Sequence, residues 1–178
     1  SGEDYIHYQQ IRSNSLPTRV RTARGRPAKD TSCRGSCRKT ETIHHVIQEC
    51  HRTHGVRVAR HDRVVGALGE DLVGKYDEVH HKQEFRVGGG KQKPDLILID
   101  DDTAHIVDVQ VVKGSGLNAS HEKKVGKYQN AEFERQVKER YGVSKVEHHA
   151  CTLSFKGIWS PQSVADMKRL RVSEYCLF

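Results

Sequence analysis

The most continuous apolar pattern in the chain lies between Lys93 and Val112, KPDLILIDDDTAHIVDVQVV. Two apolar runs, Leu96 to Ile99 and Ile106 to Val112, flank the acidic cluster Asp100 to Asp102, which predicts two short strands joined by a tight turn. Pro94 has no N–H for a sheet ladder and pushes Lys93 towards extended backbone, so Asp95 stands at the start of the first strand. Asp108 interrupts the second run between Val107 and Val109, where a carboxylate is costly to bury without a cation or donors around it. If the strands pair across the turn, the two acids meet at neighbouring ends of the hairpin. There they either share one hard cation of the magnesium type, or serve separately, Asp95 as a strand cap and Asp108 in a buried ion pair.

The remaining apolar positions mostly follow helical spacing. DYIHYQQIRSNSLP predicts an amphipathic helix ending before Pro17, and Val58, Val64, Val65, Leu68 and Leu72 predict a second from about Val56 to Val73, stopped by Gly74. YDEVHHKQEFRV predicts a strand leading into Gly88-Gly89-Gly90, with Glu84 as either a third acid for the metal or a surface residue. After the hairpin, LNASHEKKVGKYQNAEFERQVKERYG reads as one helix, capped by Asn118 or Ser120 and ended by Gly142. On it, Lys124 shares a face with Tyr128, and Lys127 lies one turn from Lys124. These lysines either reach towards Asp108 and a phosphate or form a solvated face. A strand from Val146 to Phe155 and a last helix through Leu170 complete an α/β order, with helices covering a central mixed sheet.

Charge narrows the partner. The chain of 178 residues carries 30 Lys and Arg against 23 Asp and Glu, a net +7, and its basic residues are dense before residue 61. A polyanion is the simplest partner for such a balance. TRVRTARGRPAKD has no periodic apolar face and predicts a loop or extended arm, in which Arg19, Arg21, Arg24 and Arg26 either track phosphates or merely solvate a linker. No apolar run is long enough to span a bilayer, which predicts an intracellular chain without a membrane partner. The start at Ser1-Gly2, without methionine, reads as part of a longer polypeptide.

Three of the five cysteines fall within residues 33 to 50, which favours metal over a disulfide framework. Cys33, Cys37, His45 and Cys50 follow the spacing C-x3-C-x7-H-x4-C that a structural zinc needs, with His44, His51 and His54 as competing ligands. Thr40 or Thr42 is placed to start the helical turn carrying His45. The chain thus divides into a basic arm (1–32), a zinc knuckle (33–54) and a larger α/β domain (55–178).

The sequence Pro94-Asp95, then twelve residues, then Asp108-Val109-Gln110 resembles the core of the PD-(D/E)xK nucleases. The likeness implies that the two aspartates bind Mg²⁺ or Mn²⁺ and that a lysine two positions after the second acid helps to activate water. Gln110 departs from that pattern, and the lysines after it are Lys123, Lys124 and Lys127. Together with ARGRP, the Cys/His cluster followed by HRTHG, and ARHD at Ala59 to Asp62, the core resembles the C-terminal region of site-specific non-LTR retrotransposon polyproteins that insert into ribosomal RNA genes. That family implies a restriction-like endonuclease domain preceded by a zinc knuckle of the CCHC type. It nicks double-stranded target DNA in the nucleus and leaves a 3′-hydroxyl that primes reverse transcription by an upstream polymerase domain. It further implies zinc at Cys33, Cys37, His45 and Cys50, catalysis by Asp95, Asp108 and a lysine of the following helix, and Arg60 and His61 contacting DNA near the centre. Element RNA is a further partner on this likeness. Two other classes fit the same residues: a catalytically weak nucleic-acid-binding module, and a Holliday-junction-resolving nuclease with similar acid spacing.

Overall fold

The computed structural model of the protein describes residues 2–26 and 29–174. Two compact units divide the chain, Ser1–Arg60 and His61–Phe178. Both the arginine-rich stretch and the Cys/His cluster belong to the first.

In the first unit, α1 spans Gly2–Arg12 and α2 Arg19–Thr22. The expected helix forms, but without an apolar face packed inwards: α1 buries none of its residues, and Tyr5 and Ile6 remain more than half exposed. The expected arm is partly helical, because the Thr18 side chain accepts from the Arg21 N–H and starts a turn. Pro27 and Ala28, within that stretch, lie outside the described residues.

The second unit is built on a four-stranded sheet. Its members are β1 (Glu78–His81), β4 (Leu96–Asp100), β5 (Thr103–Val112) and β6 (Lys145–Ser154), in the order β1-β4-β5-β6. A separate hairpin pairs β2 (Phe85–Val87) with β3 (Gly90–Gln92). YDEVHHKQEFRV is therefore two strands in two sheets rather than one, and Gly88 and Gly89, both at positive φ, turn β2 into β3. Strands β1, β4 and β5 run antiparallel and β6 lies parallel to β5, the mixed sheet that the element order predicts.

The central hairpin follows the apolar pattern. Leu96 to Ile99 are all buried because β4 is covered on both faces. Leu96 and Leu98 join Val107, Val109 and Cys151 in one core cluster, whereas Ile97 and Ile99 join Ala104, Ile106, Tyr128 and Phe133 in the other. Each fully buried aliphatic side chain contributes about 1.5–3 kcal/mol, so a one-residue slip, which exchanges the faces, is strongly disfavoured. The acidic turn is fastened from outside: Asp101, at φ 48°, receives the Asp77 carboxylate on its N–H at 2.9 Å, and Asp102 accepts the N–H and hydroxyl of Ser144.

Helix α3 (His54–Leu72) buries Val65, Leu68 and Leu72. The long helix expected after the hairpin is instead two, α4 (Leu117–Gly126) and α5 (Ala131–Tyr141). Asn130 breaks it, since its side chain accepts the Phe133 N–H at 2.8 Å and caps a new helix. Neither Asn118 nor Ser120 caps α4; Gly116 precedes it at φ 78° without a side-chain cap. Gly142 ends α5 at φ 69°, as expected. Helix α6 (Pro161–Arg169) follows, capped by Ser160.

Candidate functional site

The pairing Leu96↔Val107 and Ile97↔Ile106 brings Asp95 opposite Asp108 at the end of the β4–β5 ladder. Asp95 and Asp108 point to the same side as Ile97 and Ile106, because side chains alternate along each strand. Both acids are nearly enclosed, at 8% and 3% exposure, and each influences the other's protonation.

Donors converge on the pair from three elements. The Val109 N–H donates to Asp95 Oδ2 at 2.8 Å. From α3, His61 Nε2 lies 3.2 Å from the same oxygen and 3.2 Å from the Val109 carbonyl. A carbonyl only accepts, so Nε2 carries a proton. Nδ1 faces Asp62 Oδ1 at 3.2 Å, and that carboxylate also holds Lys82 Nζ at 2.8 Å. With acceptors on both ring nitrogens, His61 is an imidazolium. The Asp95 hydrogen bond raises its pKa from 6.5 to about 9, against the opposing effect of burial.

From the other side, Lys124 Nζ donates to Asp108 Oδ2 at 2.6 Å. Lys127 Nζ lies 3.4 Å from the same oxygen, donates to the Tyr128 hydroxyl at 2.6 Å and sits over the Tyr128 ring. Burial and the hydrogen bond with Asp95 nevertheless raise Asp108 from 3.8 to about 6, although Lys124 pulls it down. Burial would raise Asp95 too, but His61, Asp108 and the Val109 N–H outweigh it and hold that carboxyl below its usual value. The pair therefore keeps one proton, on Asp108, below about pH 6 and is doubly ionised above it. Such a pair suits a divalent cation, which displaces that proton.

Gln110 does not reach towards the acids. Its amide donates to the Ser120 carbonyl at 2.7 Å and to Thr152 Oγ1 at 2.8 Å, fixing α4 to the sheet. That attachment seats Lys124. Beside it, Gln110, Ser120, Lys123, Lys124, Gly126 and Lys127 line a recess of about 590 Å³. Three ammonium groups around one recess favour an anionic occupant.

Two expected members stand apart. Glu84 is exposed, just before β2, and pairs with Lys91 of β3 at 2.9 Å, while Phe85 takes the buried position that follows it. Arg60 donates to Gln48 at 2.7 Å within the first unit. The proton held by His61 on Asp95 and the enclosed Tyr128 are features that periodicity did not reveal, because both depend on contacts between elements distant in sequence.

In the first unit, ligand atoms of Cys33, Cys37, His45 and Cys50 all lie within 4.8 Å of one another. Cys33 Sγ and Cys50 Sγ are 3.7 Å apart, close to the roughly 3.8 Å edge of a tetrahedron with zinc–sulfur bonds of about 2.3 Å. Cys37 Sγ lies 3.0 Å from His45 Nε2. The Gly35 N–H donates to Cys33 Sγ at 3.2 Å, and a Cβ at Gly35 would meet Cys50 Sγ at 3.0 Å, so the loop closes tightly around the thiols. These four residues fit zinc. Thr42, of the two expected helix starts, accepts the His45 N–H at 3.0 Å, and the following turn, His45–Glu49, is π-helical. Among the competing histidines, His44 pairs with Glu49 and His54 with Arg57.

Glu41, 4% exposed, organises this unit by accepting the N–H groups of Arg19 at 2.9 Å and Arg34 at 2.8 Å. Arg19 also pairs with Asp30 and donates to the Ser32 carbonyl, and Arg21 donates to that of Asn14, whereas Arg24 and Arg26 are exposed. No helix among the described residues is long and apolar enough to cross a membrane.

No family model matches the chain. It is 46% identical over 179 residues to a retrovirus-related Pol polyprotein from the type-1 retrotransposable element R2 of Bradysia coprophila, covering all of the chain and 21% of that relative. It is 34% identical over 166 residues to the Pol polyprotein of the type-2 retrotransposable element R2DM of Drosophila melanogaster, covering 92% of the chain and 16% of the relative. With the type-1 R2 polyprotein of Nasonia vitripennis it shares 36% identity over 163 residues, covering 89% of the chain and 16% of the relative. Its homologues are thus R2 retrotransposon Pol polyproteins, and the chain corresponds to a small part of them.

Proposed function

We propose that the chain is a divalent-metal-dependent DNA endonuclease with a PD-(D/E)xK core, working on nuclear DNA as part of a retrotransposon polyprotein. The observation that carries this reading is the convergence of Asp95 and Asp108 on one side of the sheet with Lys124 on Asp108 Oδ2. The lysine comes from α4 instead of the strand position held by Gln110. The likeness to R2 Pol polyproteins supports the same reading.

Asp95 and Asp108 would hold Mg²⁺ or Mn²⁺, which supplies charge neutralisation at a scissile phosphate. The protein's own groups do the rest. His61 and the Val109 N–H keep Asp95 ionised and oriented, and Lys124 does the same for Asp108. The ammonium groups of Lys124 and Lys127 border the lysine-lined recess, where a phosphate oxygen gaining charge would be stabilised. In hydrolysis a water oxygen bonds to phosphorus, the bond to the 3′-oxygen breaks, and a proton ends on that oxygen. The products are a 5′-phosphate and the 3′-hydroxyl that an upstream polymerase domain would extend.

The zinc knuckle at Cys33, Cys37, His45 and Cys50, with the exposed Arg24 and Arg26, would bind duplex DNA or element RNA through phosphates, so affinity should fall with salt. The deciding experiment incubates supercoiled plasmid with the chain and Mg²⁺ or Mn²⁺. Nicked circles from the wild type, absent with Asp95→Ala or Asp108→Ala while DNA binding persists, are expected. A closed plasmid despite binding would leave a binding module without nuclease activity.

A further inference from the structure

The face of the sheet opposite the two acids carries a second group of ligating side chains. His105 lies on β5 three positions before Asp108, so alternation points it to the other face, that of Val107 and Val109. Glu147 is its register partner on the parallel strand β6, and His149 follows two residues later on the same face. The three side chains therefore meet across the β5–β6 pair.

Their ligand atoms form a compact triangle. His105 Nδ1 lies 3.2 Å from His149 Nε2 and 3.4 Å from Glu147 Oε2, and His149 Nε2 lies 3.7 Å from that same oxygen. A tetrahedral zinc with bonds of about 2.0–2.1 Å to nitrogen and oxygen requires its ligands to stand roughly 3.3–3.4 Å apart. A hydrogen bond between the two rings would account for the first distance alone. It would not bring a carboxylate oxygen to within reach of both nitrogens.

The surroundings match a metal-binding histidine. His149 is 5% exposed, and its Nδ1 makes no hydrogen bond but faces Asp166 Oδ1 at 3.6 Å. A carboxylate behind the second ring nitrogen is the arrangement that orients a ligating imidazole and raises its basicity. Asp166 is itself held by the Ala150 N–H at 3.2 Å and His121 Nε2 at 3.3 Å. On the far side of His105 lies the Tyr76 ring, and the Arg171 guanidinium above that ring is bound to Asp100 at 2.6 Å, so that cation is already paired. Glu147 is exposed, which leaves a way in for the ion and room for water as a fourth ligand.

We propose that His105 Nδ1, His149 Nε2 and Glu147 Oε2 form a second metal site of zinc type. It acts as a clasp between β5 and β6, parallel strands that no tight turn joins, and it stands independently of the nuclease reading. Fastening strands brought together from distant parts of the chain offsets part of the loop-closure entropy.

The test is a zinc titration of the 178-residue chain in excess Mg²⁺, with Co²⁺ as a spectroscopic substitute. Two zinc equivalents per chain are expected, and Cys50→Ser should lose one of them. Glu147→Gln and His105→Asn, at exposed and half-buried positions that leave the core intact, should each weaken the other equivalent at least tenfold. In the Co²⁺ protein, sulfur-to-metal charge-transfer bands should follow the cysteine site, and the second site should show none. A single equivalent, lost with Cys50→Ser and untouched by Glu147→Gln, would overturn the proposal. So would a second equivalent that survives in both variants.

Discussion

Lys124 Nζ reaches Asp108 Oδ2 at 2.6 Å from a helix that begins only after the strand carrying the acid has ended. The strand position where a nuclease lysine is expected holds Gln110, and Gln110 is what ties the lysine-bearing helix down, through the Ser120 carbonyl and Thr152. The cation that meets Asp108 thus comes from the next element along the chain, and Gln110 anchors that element to the sheet.

Replacing Lys124 should therefore cost more than replacing Lys127. Lys124→Met removes the close ion pair and the nearer ammonium, and plasmid nicking should slow about 10²–10³-fold, the usual effect of deleting one transition-state donor. Lys127→Met, which removes a longer contact, should slow it less. Single-turnover nicking at saturating protein measures both. Equal rates for wild type and Lys124→Met would remove Lys124 from the centre.

Asp108 makes stability depend on pH. Its pKa is raised from 3.8 unfolded to about 6 folded, so its favourable contribution is complete below 3.8 and is lost as pH rises through about 6. Above that, the buried charge opposes folding. With zinc bound but no other divalent ion present, Asp108→Asn should be more stable than wild type at pH 8, by about 1–2 kcal/mol after allowing for the lost Lys124 pair. Urea denaturation at pH 5 and pH 8 reads the difference, which should be smaller at the lower pH and vanish only below the unfolded value of 3.8.

His61 has the same sign in a higher window. Raised from 6.5 to about 9 by the Asp95 hydrogen bond, it stabilises fully below pH 6.5 and ceases to do so as pH climbs through about 9. His61→Ala should thus be destabilised most at pH 6.5 and flatten the decline of stability between there and pH 9. A slope unchanged by the mutation would mean that the proton resides elsewhere.

At the Cys/His cluster, Cys50→Ala should lower zinc content by one equivalent and open residues 33–50 to limited proteolysis, since the four side chains converge at one point of that loop. The four-stranded sheet belongs to the other unit, and its amide protection should persist. Hydrogen exchange followed by mass spectrometry distinguishes the two regions.

Asn130→Ala tests the break between α4 and α5. Losing the cap to Phe133 should cost about 1 kcal/mol by thermal or urea denaturation, and an unchanged midpoint would show that the break is held by packing alone.

The sequence by itself determined the hairpin, the meeting of Asp95 with Asp108 and the grouping of Cys33, Cys37, His45 and Cys50. Each depends on short-range spacing: alternation sets which face a strand residue takes, and a few intervening residues bring cysteines to one point. The register of Leu96 on Val107 follows from the same alternation, because either neighbouring register would exchange the two faces of the strand and carry Asp95 and Asp108 to opposite sides. Only the tertiary structure decided which cation meets Asp108, that His61 protonates against Asp95, that Glu84 stands outside the sheet carrying the acids, and that one expected helix is two. Those outcomes join elements far apart in sequence, and their energies come from packing and desolvation that no local period records. Asn130 illustrates the limit, since its helical neighbours favour continuation while its own side chain, given room beside Phe133, competes for the backbone and wins.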